Sequence, residues 1–301
     1  MNNTIKKLQA VMAIENIKEN EPMKNHTSFK VGGPADLFLM PQTREELQAV
    51  LEICKQSEKS LYIMGNGSNL IVRDNGYSGI IINTKALNQV KTVGETLIAE
   101  PGISLKDLAN VALEEKLTGL EFASGIPGSL GGAVTMNAGA YDGEMKGVIK
   151  SITVITEDGS LKTIPADLCN FGYRSSILQQ HHWVLVSVEL VLKNGDYQVI
   201  AAKMLDLNTQ RQTKQPLEYP SAGSTFRRPV GYYAGKLVQD AGFKGYSIGG
   251  AQVSEKHSGF VINKGGATAA DILNLIAAIQ SAVKEKFDVD LKTEVIVIGN
   301  D

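Results

Sequence analysis

Cysteine is scarce in this chain of 301 residues, and the two present, Cys54 and Cys169, stand far apart and outside any metal-ligand spacing. That excludes a disulfide framework and a thiolate metal centre, and fits a reducing cytoplasm. Each reads as a small core hydrophobe rather than a nucleophile. The four His residues form no H-x-x-H or H-E-x-x-H pattern, so a metal site has no support. Charge of one sign is also missing: 30 Lys and Arg against 32 Asp and Glu leave a net charge of −2. A protein whose main partner is nucleic acid carries a basic excess that is absent here. No apolar run approaches the ~20 residues of a membrane span. The first twenty residues lack a signal-peptide h-region, so no secretion signal is expected.

What remains is the composition of a globular protein, 43% hydrophobic and 21% charged. The length exceeds one ordinary core and implies two or three domains. Thr43 followed by Glu46 is a capping-box signature, opening a helix with Leu47, Val50, Leu51 and Cys54 as its apolar stripe. Ser104 caps a second helix to about Lys116. Short strands are expected at 61–64, 70–72, 80–82, 97–99, 149–156, 161–164 and 184–192, with Glu157-Asp158-Gly159 as a hairpin turn. A helix is expected from Tyr197 to about Gln212, then the polar connection Thr213–Gln215. A shorter helix runs from Tyr233 to Ala241 and is ended by Gly242. Thr268 caps a long helix whose Ile272, Leu275, Ile276, Ile279, Val283 and Phe287 recur at helical spacing. A last strand is expected over Val289–Ile298. The class is α+β, divided at 1–84, 85–195 and 196–301, and the C-terminal strand can pack back on the first part.

Nine of the thirty glycines fall in two segments where chemistry is expected. Between Gly119 and Gly143 the chain reads GLEFASGIPGSLGGAVTMNAGAYDG. Backbone with so few Cβ atoms can approach a ligand closely and aim N–H groups at an anion such as a pyrophosphate. Leu120, Phe122, Ile126, Leu130, Val134 and Met136 in the same stretch point to burial rather than an exposed loop. A second segment, Gly65-Asn66-Gly67-Ser68-Asn69, lies between two apolar strands; alone it fits an ordinary hairpin turn equally well. Together the two can clamp a dinucleotide. Neither is a Rossmann fingerprint or a Walker A motif.

Three residues stand out for chemistry. Glu294 abuts the apolar run Val295–Ile298 and shares a strand face with Ile296 and Ile298 by alternation. It is either a solvent-facing strand end or a carboxyl held half-buried for a reason. Arg174, in Tyr173-Arg174-Ser175-Ser176, reads on its own as a solvated or structural arginine. Ser224 is flanked by small residues that leave its hydroxyl accessible, and no G-x-S-x-G elbow surrounds it. A serine hydroxyl is a weak acid, so as a proton donor it needs help from its surroundings. Arg227, Arg228, Lys236, Lys244, Lys256 and His257 are either a scattered solvated face or an anion-recognition set.

Taken together, the residues resemble the UDP-N-acetylenolpyruvoylglucosamine reductase family. The carriers are NHTSFKVGGPAD (Asn25–Asp36), GNGSNLIV (Gly65–Val72), SGIPGSLGGAVTMNAGAY (Ser124–Tyr141), YRSS (Tyr173–Ser176), AGSTFRRP (Ala222–Pro229), AGKLVQDAGFKG (Ala234–Gly245) and the terminal EVIVIG. The match runs from Asn25 to Gly299. It implies a two-lobed FAD-binding domain of the vanillyl-alcohol-oxidase/p-cresol-methylhydroxylase type, then an α+β substrate-binding domain. The length fits the compact type II branch, which lacks the extra substrate-covering loop and tyrosine of type I.

The resemblance further implies non-covalent FAD held by Gly65, Asn66, Gly67, Ser68, Asn69, Gly125, Pro127, Gly128, Ser129, Gly131, Gly132, Ala133, Asn137, Ala138 and Gly139. NADPH would reduce the flavin and leave; UDP-N-acetylglucosamine enolpyruvate would then take a hydride at C3. Ser224 would protonate C2, with Arg174 and Glu294 stabilising the enolate; Glu294 can do so only if protonated or hydrogen-bonded. Tyr173, Arg227, Arg228, Lys236 and Lys256 are weaker substrate candidates. A cytoplasmic monomer with no nucleic-acid or membrane partner is expected. Other readings are an oxidase on the same FAD fold and a non-catalytic flavin or nucleotide-sugar binding module. His26 and His257 stay open between structural and functional roles.

Overall fold

In the computed structural model, which describes residues 2–301, Thr43 Oγ1 accepts the Glu46 N–H at 3.1 Å and Glu46 returns a carboxylate to the Gln42 N–H at 2.7 Å. After α1 (Asn2–Gln9), this cap starts α2 (Arg44–Lys55). Contacts divide the chain into two compact units. The first comprises the stretch up to Glu19 with Leu37–Asn66 and Gly79–Arg211; the second comprises Asn20–Asp36, Gly67–Ser78 and Gln212–Asp301. The expected segments 1–84, 85–195 and 196–301 follow chain order, whereas packing assigns two short early stretches to the C-terminal third.

In the first unit, α2 buries Leu47, Val50 and Cys54 against Leu37, Leu39, Ile80 and Ile82. Strand Ser60–Met64 runs parallel to Tyr77–Asn83, in register from Ser60 opposite Gly79 to Met64 opposite Asn83. A five-stranded antiparallel sheet has the order Leu161–Pro165, Ile149–Ile155, Val184–Val191, Thr96–Ala99, Val90–Val93. The hairpin over Glu157-Asp158-Gly159 closes with Ile155 opposite Leu161. Helices α3 (Leu105–Glu114, capped by Ser104), α4 (Leu130–Thr135, capped by Ser129) and α5 (Tyr197–Lys214) complete the unit's described helices. Leu108, Leu130, Val134, Ile152, Val188, Ile200 and Met204 share its other core. Helix α5 absorbs Thr213 and Lys214, which the sequence assigned to a polar connection.

The second unit is built on α7 (Ala269–Phe287), preceded by α6 (Ala234–Asp240) with Gly242 just beyond its end at φ +90°. Thr268 and Asp271 form a reciprocal capping box on α7. Asp74 adds its carboxylate to the N–H groups of Ala269 and Ala270, both at 2.8 Å. Ile272, Leu275, Ile276, Ile279 and Val283 are buried against Val253, Val261, Leu237 and Val238. A three-stranded antiparallel sheet orders Ser247–Ile248, Ala251–Val253 and Val261–Asn263.

The C-terminal strand is shorter than expected. Only Ile296–Ile298 is extended, pairing parallel with Leu70–Val72. Upstream, Thr293 makes an isolated bridge with Phe226 and Glu294 lies in a bend. Val295 is buried and Ile296 is 36% exposed, but the strand's alternation starts only after the bend at Glu294. Glu294 does not share a strand face with Ile296 and Ile298. Among the described residues, no helix is long and apolar enough to cross a membrane.

Candidate functional site

Gly65 and Asn66 meet the longer glycine-rich segment inside the first unit. A Cβ on Gly65 would sit 2.0 Å from Ser129 Oγ, so only glycine lets the end of strand Ser60–Met64 reach the cap of α4. Asn83, 7% exposed, fixes this strand end by donating Nδ2 to the Gly65 carbonyl at 2.9 Å. Next to it, Asn66 Oδ1 is buried and makes no hydrogen bond among the described residues. A buried acceptor without a partner costs about 1–3 kcal/mol and marks a place for a ligand donor.

Elsewhere several of the glycines allow close packing. A Cβ on Gly125 would meet Asn208 Oδ1 of α5 at 2.3 Å, one on Gly139 the Gly143 carbonyl at 2.6 Å, and one on Gly143 the Phe122 ring at 2.5 Å. The expected cradle of N–H groups is partly used up. Leu130 N–H donates to Ile103 O and Gly131 N–H to Pro101 O, both at 2.8 Å, while Gly132 N–H faces Ser129 Oγ at 3.5 Å. Ala133 is buried in the core, Pro127 is exposed, and Gly128 has φ +147°. Asn137, fully buried, donates Nδ2 to Glu144 Oε2 at 2.8 Å and to Gly172 O at 3.0 Å, and accepts the Lys146 N–H at 2.9 Å. Its amide is spent inside the protein, so it belongs to the scaffold. Ala138 likewise donates its N–H to Ala133 O at 2.8 Å.

That scaffold aims Arg174. Gly172 and Ser175 exchange backbone hydrogen bonds at 3.1 and 3.3 Å, closing a two-residue turn with Arg174 in the left-handed region at φ +54°. A non-glycine residue there is strained by about 1–2 kcal/mol and persists only when its surroundings dictate it. They do. Asn137 holds the Gly172 carbonyl, Ser176 Oγ donates to Thr135 O at 2.9 Å, and Arg174 Nη2 reaches Gly139 O at 3.4 Å. The half-buried guanidinium also lies 5.1 Å from the exposed Tyr173 ring.

Ser224 and Glu294 belong to the second unit, on neighbouring backbone. Glu294 N–H donates to Thr225 O at 2.8 Å and Arg227 N–H to Lys292 O at 2.9 Å, which straps the Ser224 segment to the Glu294 segment. Thr225, 2% exposed, is further fixed by its N–H to Gly259 O at 2.9 Å and by the Val261 N–H to its Oγ1 at 3.0 Å. Ser224 itself is exposed and Glu294 half-buried. In the same unit Asn69 Nδ2 donates to the Glu294 carbonyl at 3.1 Å, and Gly67 (φ +61°) takes the Ser28 N–H on its carbonyl at 3.1 Å. Ser68 is half-buried.

The weaker candidates separate. Arg227 Nε is buried without a hydrogen bond among the described residues, and Arg228 stacks over Tyr233 at 4.2 Å. Lys236 is held by Asp240 at 2.6 Å, and Lys256 by Gln212 O at 2.6 Å with Glu218 at 3.8 Å. Both lysines already have partners within the protein. His26 pairs with Glu21 at 2.7 Å. One residue escaped the sequence reading. Arg211 is 8% exposed, packs against Gly125, and has its guanidinium 6.0 Å from the Tyr141 ring. Burial pulls its pKa down, opposed by Tyr141. Ile200, Met204, Asn208 and Arg211 form one stripe of α5, and that register was the available signal.

A family model described as "UDP-N-acetylenolpyruvoylglucosamine reductase, C-terminal domain" matches residues 215–298, and one described as "FAD binding domain" matches residues 35–164. A UDP-N-acetylenolpyruvoylglucosamine reductase of Clostridium botulinum is 52% identical over 299 residues, covering 99% of this chain and 98% of its own. The chain belongs to the UDP-N-acetylenolpyruvoylglucosamine reductase family. A relative of that name from Clostridium perfringens is 53% identical over 287 residues, 95% of this chain and 94% of its own. The crystal structure of the Thermus caldophilus reductase (MurB) superposes with a TM-score of 0.81 at 33% identity, over 93% of this chain and 99% of that one. Alkyldihydroxyacetonephosphate synthase, at TM-score 0.50 and 15% identity over 64% of this chain, shares the fold alone. The fold is the two-lobed FAD-binding type joined to an α+β C-terminal domain, as the resemblance implied. The orphan Asn66 Oδ1 and the Gly65–Ser129 contact fit FAD as the cofactor of this family.

Proposed function

We propose that the chain is an NADPH-dependent flavoenzyme that reduces UDP-N-acetylglucosamine enolpyruvate to UDP-N-acetylmuramate for peptidoglycan precursor synthesis. The observation that carries this is the 52% identity to reductases of that name across 99% of the chain, with Arg174, Ser224 and Glu294 all present. Bound FAD supplies the hydride that adds at C3.

The chain's own residues handle the rest. Asn66 and the touching glycine segments hold the cofactor. Ser224 donates the proton that completes C2, and its fixed neighbour Thr225 keeps the hydroxyl from wandering. Arg174, in its strained and anchored turn, presents a guanidinium to the carboxylate and enolate oxygens, where charge grows during the step. Glu294, tied to Thr225, acts as a protonated or hydrogen-bonded partner of the same charge. Arg227 and the Arg228–Tyr233 pair are the better placed substrate contacts; Tyr173 is a further one. The near-neutral charge supports a reading without a nucleic-acid partner; the reading further takes the chain as a cytoplasmic monomer without a membrane partner.

The test is turnover in deuterated water with protiated NADPH and the flavin-loaded protein. Product carrying solvent deuterium at C2 is expected, and at C3 as well, because a hydrogen carried on flavin nitrogen exchanges with water before transfer. Protium at C2, or NADPH oxidation independent of the enol ether, would remove this reading.

A further inference from the structure

His257 is a titratable group that the proposed chemistry does not use, and it sits at the head of a chain of backbone hydrogen bonds. Its Nδ1 accepts the Gly259 N–H at 3.0 Å; Gly259 O accepts the Thr225 N–H at 2.9 Å; Thr225 O accepts the Glu294 N–H at 2.8 Å. The ring is clamped. Phe260 meets it edge to face at 5.0 Å, and a Cβ on Gly259 would lie 2.9 Å from Cε1 and 3.1 Å from Nδ1. Residue 259 must therefore be glycine for the contact to form. Ser254 Oγ, on a residue 1% exposed, anchors the loop by accepting the N–H groups of Lys256 and His257 at 3.1 and 3.2 Å.

An Nδ1 that accepts cannot carry the proton, so the neutral ring is the Nε2–H tautomer. Protonation would set two donors against each other at 3.0 Å. We propose that His257 is a positioning residue for Ser224 and Glu294: its neutral Nε2–H form latches the Gly259–Thr225–Glu294 chain, and its protonation releases it. This rests on the reductase reading above.

The charged groups on the surrounding elements are engaged elsewhere. On α6, which reaches the ring through Gly235, Lys236 is paired with Asp240; on the ring's own loop, Lys256 is held by Gln212 O and Glu218, and Glu255 packs towards Gly245. Burial, opposed only by the residue's own backbone hydrogen bond, keeps the imidazole below its ordinary pKa. The latch is therefore closed at neutral pH and opens only at a pH below the ordinary histidine range.

The test monitors both half-reactions of the FAD-loaded protein by anaerobic stopped flow between about pH 5 and 8. Asparagine can accept the N–H two residues on without titrating, so His257→Asn should reoxidise within about twofold of the parent at the alkaline end and lose the acid limb. His257→Ala should reoxidise about fivefold more slowly, as expected for one lost hydrogen bond, while flavin reduction by NADPH holds. Nitrogen-15 NMR of the parent imidazole should show a pyridine-type Nδ1 at neutral pH. Parental reoxidation in His257→Ala, a parental acid limb in His257→Asn, or a protonated Nδ1 in the neutral ring would each overturn the latch. Failure of the reductase reading would look different: the parent's reduced flavin would not respond to the enol ether at all, and the NMR result would still decide the latch.

Discussion

Replacing Gly65 with alanine tests whether the two glycine segments are held together for the cofactor. The backbone at Gly65 is outside the left-handed region, so alanine is strained only by space. The new methyl would lie 2.0 Å from Ser129 Oγ and 3.0 Å from Ser129 Cβ. Relief needs a movement of more than about 1 Å, since carbon–oxygen contacts are comfortable only near 3.4 Å and beyond. Neither side yields easily. Asn83 holds the Gly65 carbonyl at 2.9 Å, and α4 is tied to Ile103 and Pro101 at 2.8 Å each. Overpacking of this kind costs about 1–3 kcal/mol, which spread over the cofactor segments is a roughly 10- to 100-fold loss of FAD affinity. Flavin fluorescence titration of the apoprotein measures it. Adding Ser129→Gly to Gly65→Ala removes both offending atoms, and glycine is nearly as good a helix cap as serine; affinity should largely return. Parental affinity in the single variant, or no recovery in the double one, would refute the packing argument.

Three further outcomes are expected. Asn137→Ala breaks three buried hydrogen bonds and leaves Glu144 unpartnered on that side; thermal denaturation should show about 2–3 kcal/mol lost, a Tm drop of roughly 5–10 °C. Arg211→Lys should lower the thermal midpoint by a few degrees in the same denaturation, because lysine lacks the planar face that meets Tyr141 and packs against Gly125. Burial pushes the Cys54 thiol up to about 12 and the Cys169 thiol up to about 11. Mass spectrometry after iodoacetamide treatment at about pH 8 should find both unmodified in the native protein and both alkylated in denaturant.

Local chemistry was legible in the chain; long-range assignments were not. Thr43 with Glu46, Ser104 with Asp107 and Thr268 with Asp271 cap their helices because a cap depends on residues three apart. The glycine segments and the trio Arg174, Ser224 and Glu294 were visible as residues, and the family resemblance held over the chain. What each glycine does was hidden, since it depends on distant partners: Asn208 for Gly125, Pro101 for Gly131, Phe122 for Gly143. The strand expected over Val289–Ile298 failed because alternation cannot reveal a bend at Glu294 that feeds a bridge to Phe226. Asn20–Asp36 packs with the C-terminal third through contacts such as Ser28 Oγ donating to Ser221 O at 2.6 Å and Asn263 Nδ2 donating to Phe29 O at 3.0 Å. Nothing local announces those. Arg211 was overlooked because a polar helix end reads as solvated unless its register with Ile200 and Met204 is followed.

Anaerobic addition of stoichiometric NADPH to the FAD-loaded protein, followed by UDP-N-acetylglucosamine enolpyruvate, tests the central claim most directly. The flavin absorbance should bleach with NADPH and return on adding the enol ether, and Ser224→Ala should bleach but recolour far more slowly. A flavin that bleaches and stays bleached until oxygen is admitted would contradict the account.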